Sequence, residues 1–320
     1  MKGKRAYLVK PGKFEIREEE VSYNQDEVLV KVAVCGLCNW ELNHWFGYLG
    51  TCPQTLGHEW AGEIVEVGSR VTNFKVGDKI CYLPGKLEGF SQYAAASEDR
   101  CIKISEEFDI HKVLGEPLKD IVTVLKAAAA EPGDCGIVVG CGPMGLWCTQ
   151  ALSGNTLSCL IAVDIDDSKL ALAKKFGATH TVNPKNCDAI QAISDITGGH
   201  MGDFVIEGTG NPGVLNQCIY YLKPTGRGRL LLMSSHETAT KEFDFRPAVE
   251  RSIDLRVPHP GHSLNQMEDL RRAVSLLEKG SFKIDGMITH EFSLDEINEG
   301  FRMLENKPKD YIKGIVLPWR

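Results

Sequence analysis

Cys38, His58, Glu59 and Glu116 place a thiol, an imidazole and two carboxyls in the early part of the chain. A glycine run, Gly140-Cys141-Gly142-Pro143-Met144-Gly145, follows shortly after. Thiolate, imidazole and carboxylate together suit a borderline cation, and three such donors leave a fourth position open for chemistry. The glycine run has the G-x-G-x-x-G spacing that lets a backbone turn approach a pyrophosphate. In this order the two groups describe a metal site beside a dinucleotide site, which is the equipment for metal-assisted hydride transfer.

Taken singly, each residue has a plainer role open to it. A cysteine after a strand is usually a small buried apolar residue. His58 has the alternative of ordering a turn, and Glu116, before Pro117, that of a solvated loop residue. Cys35 forms a Cys-x-x-Cys with Cys38, but no second such pair completes a zinc knuckle, so Cys35 reads as a strand residue.

The elements that must position these groups change character along the chain. The first hundred residues alternate polar and apolar side chains, as at 27–34 and 63–67, with glycine turns between, which predicts a small irregular β-barrel. From about Leu118, apolar strands at 137–140, 160–165, 181–183, 204–208, 229–234 and 254–258 alternate with helical stretches such as 168–176 and 213–222. Six strands with helical crossovers predict a doubly wound parallel sheet. A mixed tail follows, with an amphipathic helix at 266–279 and a last strand at 314–318. The expected division is 1–118 plus 259–320 for the barrel domain and 119–258 for the sheet domain, an α/β chain overall. A length of 320 residues suits two domains.

The glycine run sits where a dinucleotide fingerprint must sit. The strand Ile137-Val138-Val139 enters it and a helix-forming stretch leaves it. Gly140 permits the tight turn, Gly142 lets amides approach the pyrophosphate, and Gly145 lets the helix pack on the strand. Pro143 and Met144 open the helix, whose N-terminus favours phosphate. Asp164 ends the second strand, where a carboxylate accepts hydrogen bonds from ribose hydroxyls and repels a 2′-phosphate. Asp166 and Asp167 add to that charge, and Lys169 is placed to meet the adenosine edge. NAD rather than NADP is the expected cofactor.

Composition excludes several other classes. Hydrophobic content of 43% and charged content of 25% are ordinary for a soluble globular protein. The net charge of −7 is spread thinly, with no basic face for nucleic acid. No secretory h-region follows Met1-Lys2-Gly3-Lys4-Arg5, and no apolar run reaches a membrane span. Eleven cysteines, an odd number, with Cys141, Cys148 and Cys159 in buried-looking segments, predict reduced thiols in a cytoplasmic enzyme.

The sequence resembles the zinc-containing medium-chain dehydrogenases, particularly their sorbitol (polyol) branch. The resemblance is carried by Cys38-Asn39-Trp40-Glu41, Gly57-His58-Glu59-x-x-Gly62-Glu63, Val76-Gly77-Asp78, Glu116-Pro117-Leu118, the glycine fingerprint and Phe204-Val205-Ile206-Glu207-Gly208-Thr209-Gly210, nearly the whole chain in order. It implies a GroES-like catalytic domain, an inserted NAD-binding Rossmann domain and a zinc at the cleft between them. By the same resemblance Cys38 and His58 correspond to zinc ligands and Glu116 to the third. Glu59 corresponds to the glutamate beside the metal, which ligates it directly in some members.

The chain departs from that pattern at three places. The four-cysteine structural-zinc lobe is missing, since only Cys81 precedes Gly89-Phe90-Ser91-Gln92-Tyr93, so one zinc per subunit is expected. Trp40 stands where serine or threonine normally passes the proton on, and Asn43, with His44 next to it, stands where a histidine is expected. Proton transfer then falls to Glu59, His44, Glu41 or water, with Glu59 the first choice and His44 the second. Finally, Trp40, Trp45, Phe46, Tyr48 and Trp60 crowd near the ligands, either as core or as walls for a sugar-like or aromatic alcohol. The expected activity is NAD-dependent oxidation of a secondary alcohol, a polyol, cyclitol or sugar derivative, in a homo-oligomer that contacts neither nucleic acid nor membrane. An apolar or aromatic alcohol is the alternative within enzymes, and a catalytically silent NAD-binding protein the alternative outside them.

Overall fold

The computed structural model describes residues 1–154, 156–234 and 243–320. The chain divides into two compact units, Met1–Lys119 with Asn265–Arg320, and Asp120–Leu264.

In the first unit the strands are β1 (Lys2–Lys10), β2 (Lys13–Glu20), β3 (Glu27–Gly36), β4 (Gln54–Thr55), β5 (Trp60–Val67), β6 (Lys79–Tyr82), β7 (Tyr93–Ser97) and β8 (Cys101–Ile104). A one-turn helix α1 (Leu42–Trp45) follows β3, and α2 (Gly115–Ala128) starts in this unit. Strands β3 and β5 pair antiparallel, with Cys35 opposite Trp60, and β5 pairs with β6, with Ala61 opposite Cys81. The apolar side chains predicted to face inward do so: Val28, Val30 and Val32 are fully buried. Phe14, Trp45, Phe90 and Phe301 close the core as a packed aromatic cluster.

The second unit holds β9 (Cys135–Val139), α3 (Pro143–Leu152), β10 (Cys159–Val163), α4 (Asp167–Lys175), β11 (His180–Val182), α5 (Ala189–Thr197), β12 (Phe204–Glu207), α6 (Pro212–Tyr221), β13 (Arg229–Leu232), α7 (Phe245–Glu250) and β14 (Asp254–Arg256). The six strands form one parallel sheet in the order β11-β10-β9-β12-β13-β14. This order reverses at β9, the switch point where such sheets bind ligands at their carboxyl ends. Central strands are apolar on both faces because helices cover both; all five residues of β9 are buried.

The chain then returns to the first unit through α8 (Gln266–Glu278), β15 (Ile288–Ser293), α9 (Ile297–Asn306) and β16 (Lys313–Leu317). Strand β16 pairs antiparallel with β3, with Ile315 opposite Gly36.

One expectation is corrected. Cys135 and Cys159, taken as thiols, are joined as a disulfide between β9 and β10. Parallel pairing sets the two residues directly opposite each other, with Cα atoms 4.7 Å apart, within the span a disulfide bridges. Cys141 and Cys148 are free and buried, and burial pushes both thiols up.

Candidate active site

Strand pairing explains why residues far apart in sequence meet. Cys38 lies two residues past the end of β3, and His58-Glu59 lies just before β5 begins, so antiparallel pairing brings them to the same end of the sheet. The Gly36 N–H donates to the Glu59 carbonyl at 2.8 Å and closes that corner. Gly57 shapes the approach: its φ is +102°, and a Cβ there would come within 2.4 Å of the Phe90 nitrogen. Only glycine fits both demands.

The ligand atoms of Cys38, His58 and Glu59 all lie within 4.8 Å of one another. Among the described residues this is the one group of three such side chains spaced for a metal ion. Glu116 is outside the trio but next to it, with its Oε2 4.0 Å from His58 Nε2. Helix α2 delivers it through Gly115, which packs on Cys81 of β6 so closely that a Cβ would lie 2.3 Å from the sulfur. Glu116 is thus a buried residue of a helix's first turn, not a solvated loop residue.

Two lysines accompany the carboxylates. Lys119 Nζ lies 3.0 Å from Glu116 Oε1, and Lys313 Nζ lies 2.5 Å from Glu59 Oε2. Both are at most 4% exposed. Burial works against the Lys313 charge, but Glu59 and Cys38 outweigh it and hold the ammonium above its usual pKa. Burial and the Glu59 charge push the Cys38 thiol up, while His58 and Lys313 oppose them.

Glu41 has a different role from the proton carrier the sequence allowed. It is fully buried, and its Oε1 accepts from the Gly57 N–H at 2.8 Å and faces His58 Nδ1 at 3.0 Å. A carboxylate on Nδ1 fixes the tautomer that leaves the Nε2 lone pair free for a metal. Burial works to lower the His58 imidazolium, and the Glu41 charge with hydrogen bonds from Cys38 and Glu41 raises it well above the usual value. The corner therefore favours positive charge. This thiol, imidazole and two carboxyls, with a second carboxylate orienting the imidazole, fit a zinc ion.

His44 is 6% exposed, and its Nδ1 faces Gln54 Oε1 at 3.0 Å. Gln54 Nε2 donates to the Leu49 carbonyl at 3.4 Å, which orients the amide. Nδ1 therefore carries the proton, and Nε2, buried and without a partner, is a bare acceptor. The Trp40 ring stands between the two histidines, edge-on to His44 at 4.8 Å and to His58 at 5.3 Å.

The five aromatic residues separate into two groups. Trp45 and Trp60 are core, the latter packed on Tyr82 at 4.6 Å. Trp40, Phe46 and Tyr48 are exposed, at 38%, 39% and 76%.

In the second unit the fingerprint lies between β9 and α3. Gly140 has φ +94°, and a Cβ on Gly145 would come 1.9 Å from the Gly140 carbonyl oxygen. Gly142 caps α3 with no side chain, and a Cβ there would meet nothing within 4 Å. That open cradle, at a helix start whose N–H groups carry partial positive charge, fits a pyrophosphate. Pro143 takes the first position of α3, where a missing N–H costs nothing, and Met144 follows it.

Asp164 lies just past β10. It accepts from the Cys141 N–H at 2.6 Å and from the Asp166 N–H at 2.9 Å. Each carboxylate oxygen keeps a lone pair for a ribose hydroxyl. Asp166 caps α4 through Ser168, and Asp167 accepts from Asn183 at 2.6 Å, so both also serve the local fold. Lys169 is half-buried on α4, and its charge reaches Cys141 and Asp166.

Lys313 and Gln54 have no signal in the sequence that would have found them. Lys119, three residues from Glu116 on a helix, was findable from that spacing.

Comparison with known proteins gives the same reading. The alcohol dehydrogenase GroES-like domain matches residues 24–106, and the zinc-binding dehydrogenase family matches residues 143–279. The (R,R)-butanediol dehydrogenase of Bacillus subtilis is 29% identical, with 94% of this chain and 95% of that protein covered. The sorbitol dehydrogenase of Bacillus subtilis is 26% identical, with 93% and 92% covered. The crystal structure of 2R,3R-butanediol dehydrogenase from Bacillus subtilis superimposes with a TM-score of 0.87 at 26% identity, covering 99% of each chain. No helix among the described residues is long and apolar enough to cross a membrane. With its metal-ligating corner on a GroES-like unit and its glycine fingerprint on a Rossmann sheet, the chain belongs to the zinc-containing alcohol dehydrogenases of the medium-chain superfamily, NAD(P)-dependent oxidoreductases.

Proposed function

We propose that the protein is a cytoplasmic, NAD-preferring dehydrogenase of secondary alcohols that carry a neighbouring hydroxyl: polyols, cyclitols or sugar derivatives. The observation that carries the reading is the buried corner of Cys38, His58 and Glu59, with ligand atoms within 4.8 Å, in a chain similar to a butanediol and a sorbitol dehydrogenase. Cys38, His58 and Glu116 are the resting ligands in this reading, and Glu41 orients His58. Zinc at this corner supplies Lewis acidity that makes an alcohol proton easier to lose, and NAD accepts the hydride at its nicotinamide.

The protein's own part is to bind, orient and move the proton. Gly140, Gly142, Pro143, Met144 and Gly145 seat the pyrophosphate, Asp164 takes the ribose hydroxyls, and Lys169 meets the adenosine edge. Asp164 would face a phosphate dianion in NADP, which favours NAD. For the proton, His44 takes precedence over Glu59. Glu59 is committed to Lys313, whereas His44 Nε2 is a bare acceptor one ring away from His58. Trp40 cannot carry a proton, so the path runs around its ring.

Elemental analysis should find about one zinc per chain. NADH formation with a panel of polyols, diols and aromatic alcohols tests the substrate class. No NADH from any vicinal diol or polyol would refute it. An apolar alcohol is the second reading, favoured by exposed Trp40, Phe46, Tyr48 and Leu49 close to the site. Assembly as a homodimer is supported by the free edge of β14, which among the described residues pairs only with β13 and exposes Leu255 and Val257. A monomer in sedimentation would contradict that.

A further inference from the structure

We propose that Lys313 is a positioning residue of the metal site: its buried ammonium holds the Glu59 carboxylate off the metal, so that three side chains rather than four ligate it. The inference rests on the reading of Cys38, His58 and Glu116 as resting ligands.

A carboxylate oxygen of Glu59 is close enough to Cys38 and His58 to join a common ion. Left alone, a buried anion beside a divalent cation would ligate it. The fold supplies a competitor. Lys313 opens β16, which pairs with the end of β3; the Leu37 N–H donates to the Gly314 carbonyl at 2.9 Å, one residue from each partner in question. That register delivers the ammonium to Glu59 Oε2 at 2.5 Å, with Lys313 4% and Glu59 2% exposed.

The carboxylate is also seated by a missing side chain. A Cβ on Gly36 would lie 1.9 Å from Glu59 Oε2, so glycine opens the slot in which that oxygen meets the lysine. Charge balance points the same way. Cys38, Glu59 and Glu116 would put three negative charges on a divalent ion, and Lys313 offsets the third. Removing one member of a buried pair leaves the other charge uncompensated. Without Lys313, the nearest cation left for Glu59 is the metal.

Cobalt(II) in place of zinc reports coordination through its visible bands, which are intense in tetrahedral sites and weak in five-coordinate ones. Cobalt-loaded Lys313→Met should lose band intensity and bind cobalt about tenfold more tightly, the scale on which support of metal ligands acts. Lys313→Arg should keep the parent spectrum, and Lys313→Met with Glu59→Gln should recover parent spectrum and affinity. Parent-like spectrum and affinity in Lys313→Met would overturn the proposal. If that variant does not fold, Glu59→Gln alone decides. The proposal requires its spectrum to match the parent, and a changed spectrum makes Glu59 a resting ligand and overturns it. A parent protein that takes up no cobalt, or a Glu116→Gln variant with an unaltered spectrum, overturns the underlying ligand assignment instead.

Discussion

Replacing Glu41 should weaken zinc binding without touching a ligand. Its carboxylate accepts from two buried groups, the Gly57 N–H at 2.8 Å and His58 Nδ1 at 3.0 Å. In Glu41→Ala both lose their acceptor, the imidazole becomes free to turn, and the electrostatic support of His58 disappears. Changes to such outer partners cost about 10–100-fold in metal affinity. At roughly 1.4 kcal/mol per decade, that is about 1.4–2.8 kcal/mol. The stranded Gly57 N–H adds about 1–3 kcal/mol of folding stability lost. Glu41→Gln separates the two effects. Its amide oxygen still accepts from Gly57, so only the charge is removed, and a loss of about tenfold in affinity is expected, the lower end of that range. Zinc affinity is read by competition with a chromophoric chelator, and folding by thermal unfolding of the metal-free protein. A folded Glu41→Ala variant that holds zinc as tightly as the parent would refute the assignment of Glu41 to His58.

Three further outcomes follow from the same geometry. Asp164→Ala should narrow the preference for NAD over NADP mainly by weakening NAD; equal catalytic efficiency of the unaltered enzyme with both cofactors would sink the ribose assignment. His44→Asn should lower kcat by about 10²-fold, the low end for loss of a general acid–base group, with NAD affinity intact; unchanged turnover would return the proton path to Glu59 or water. Asp203 accepts from the Cys135 N–H at 2.8 Å and pairs with Lys223 at 2.8 Å; burial works to raise its pKa, and these partners prevail and hold it below the usual value. A carboxyl with a depressed folded pKa stabilises above its unfolded pKa and loses that contribution as pH falls, so Asp203→Asn should cost about 1–2 kcal/mol near neutrality and progressively less below pH of about 4. A cost independent of pH in chemical unfolding would contradict the ionic origin.

Local pattern determined much of this protein. The alternation in 27–34 and the apolar run 137–139 announced a half-buried and a fully buried strand, because side-chain period follows directly from backbone geometry. The glycine fingerprint was equally legible, since a tight turn, a close phosphate and a helix packed on a strand each need a missing Cβ, and Gly140 and Gly145 show it. Residue types alone also nominated Cys38, His58, Glu59 and Glu116, since few side chains bind a borderline cation. Sequence did not decide which partner each of them would take. Glu41 turned toward His58 only because the turn at Gly57 sets its N–H and that imidazole against one carboxylate oxygen. Trp60 went into the core and Trp40 to the surface, although both flank ligands in sequence, because strand pleat and a short helical turn send neighbouring side chains to opposite sides. Cys135 and Cys159 met because β9 and β10 pair in register. Lys313 reached Glu59 across more than two hundred and fifty positions because β16 lies beside β3, and long-range strand pairing leaves no mark on the residues between.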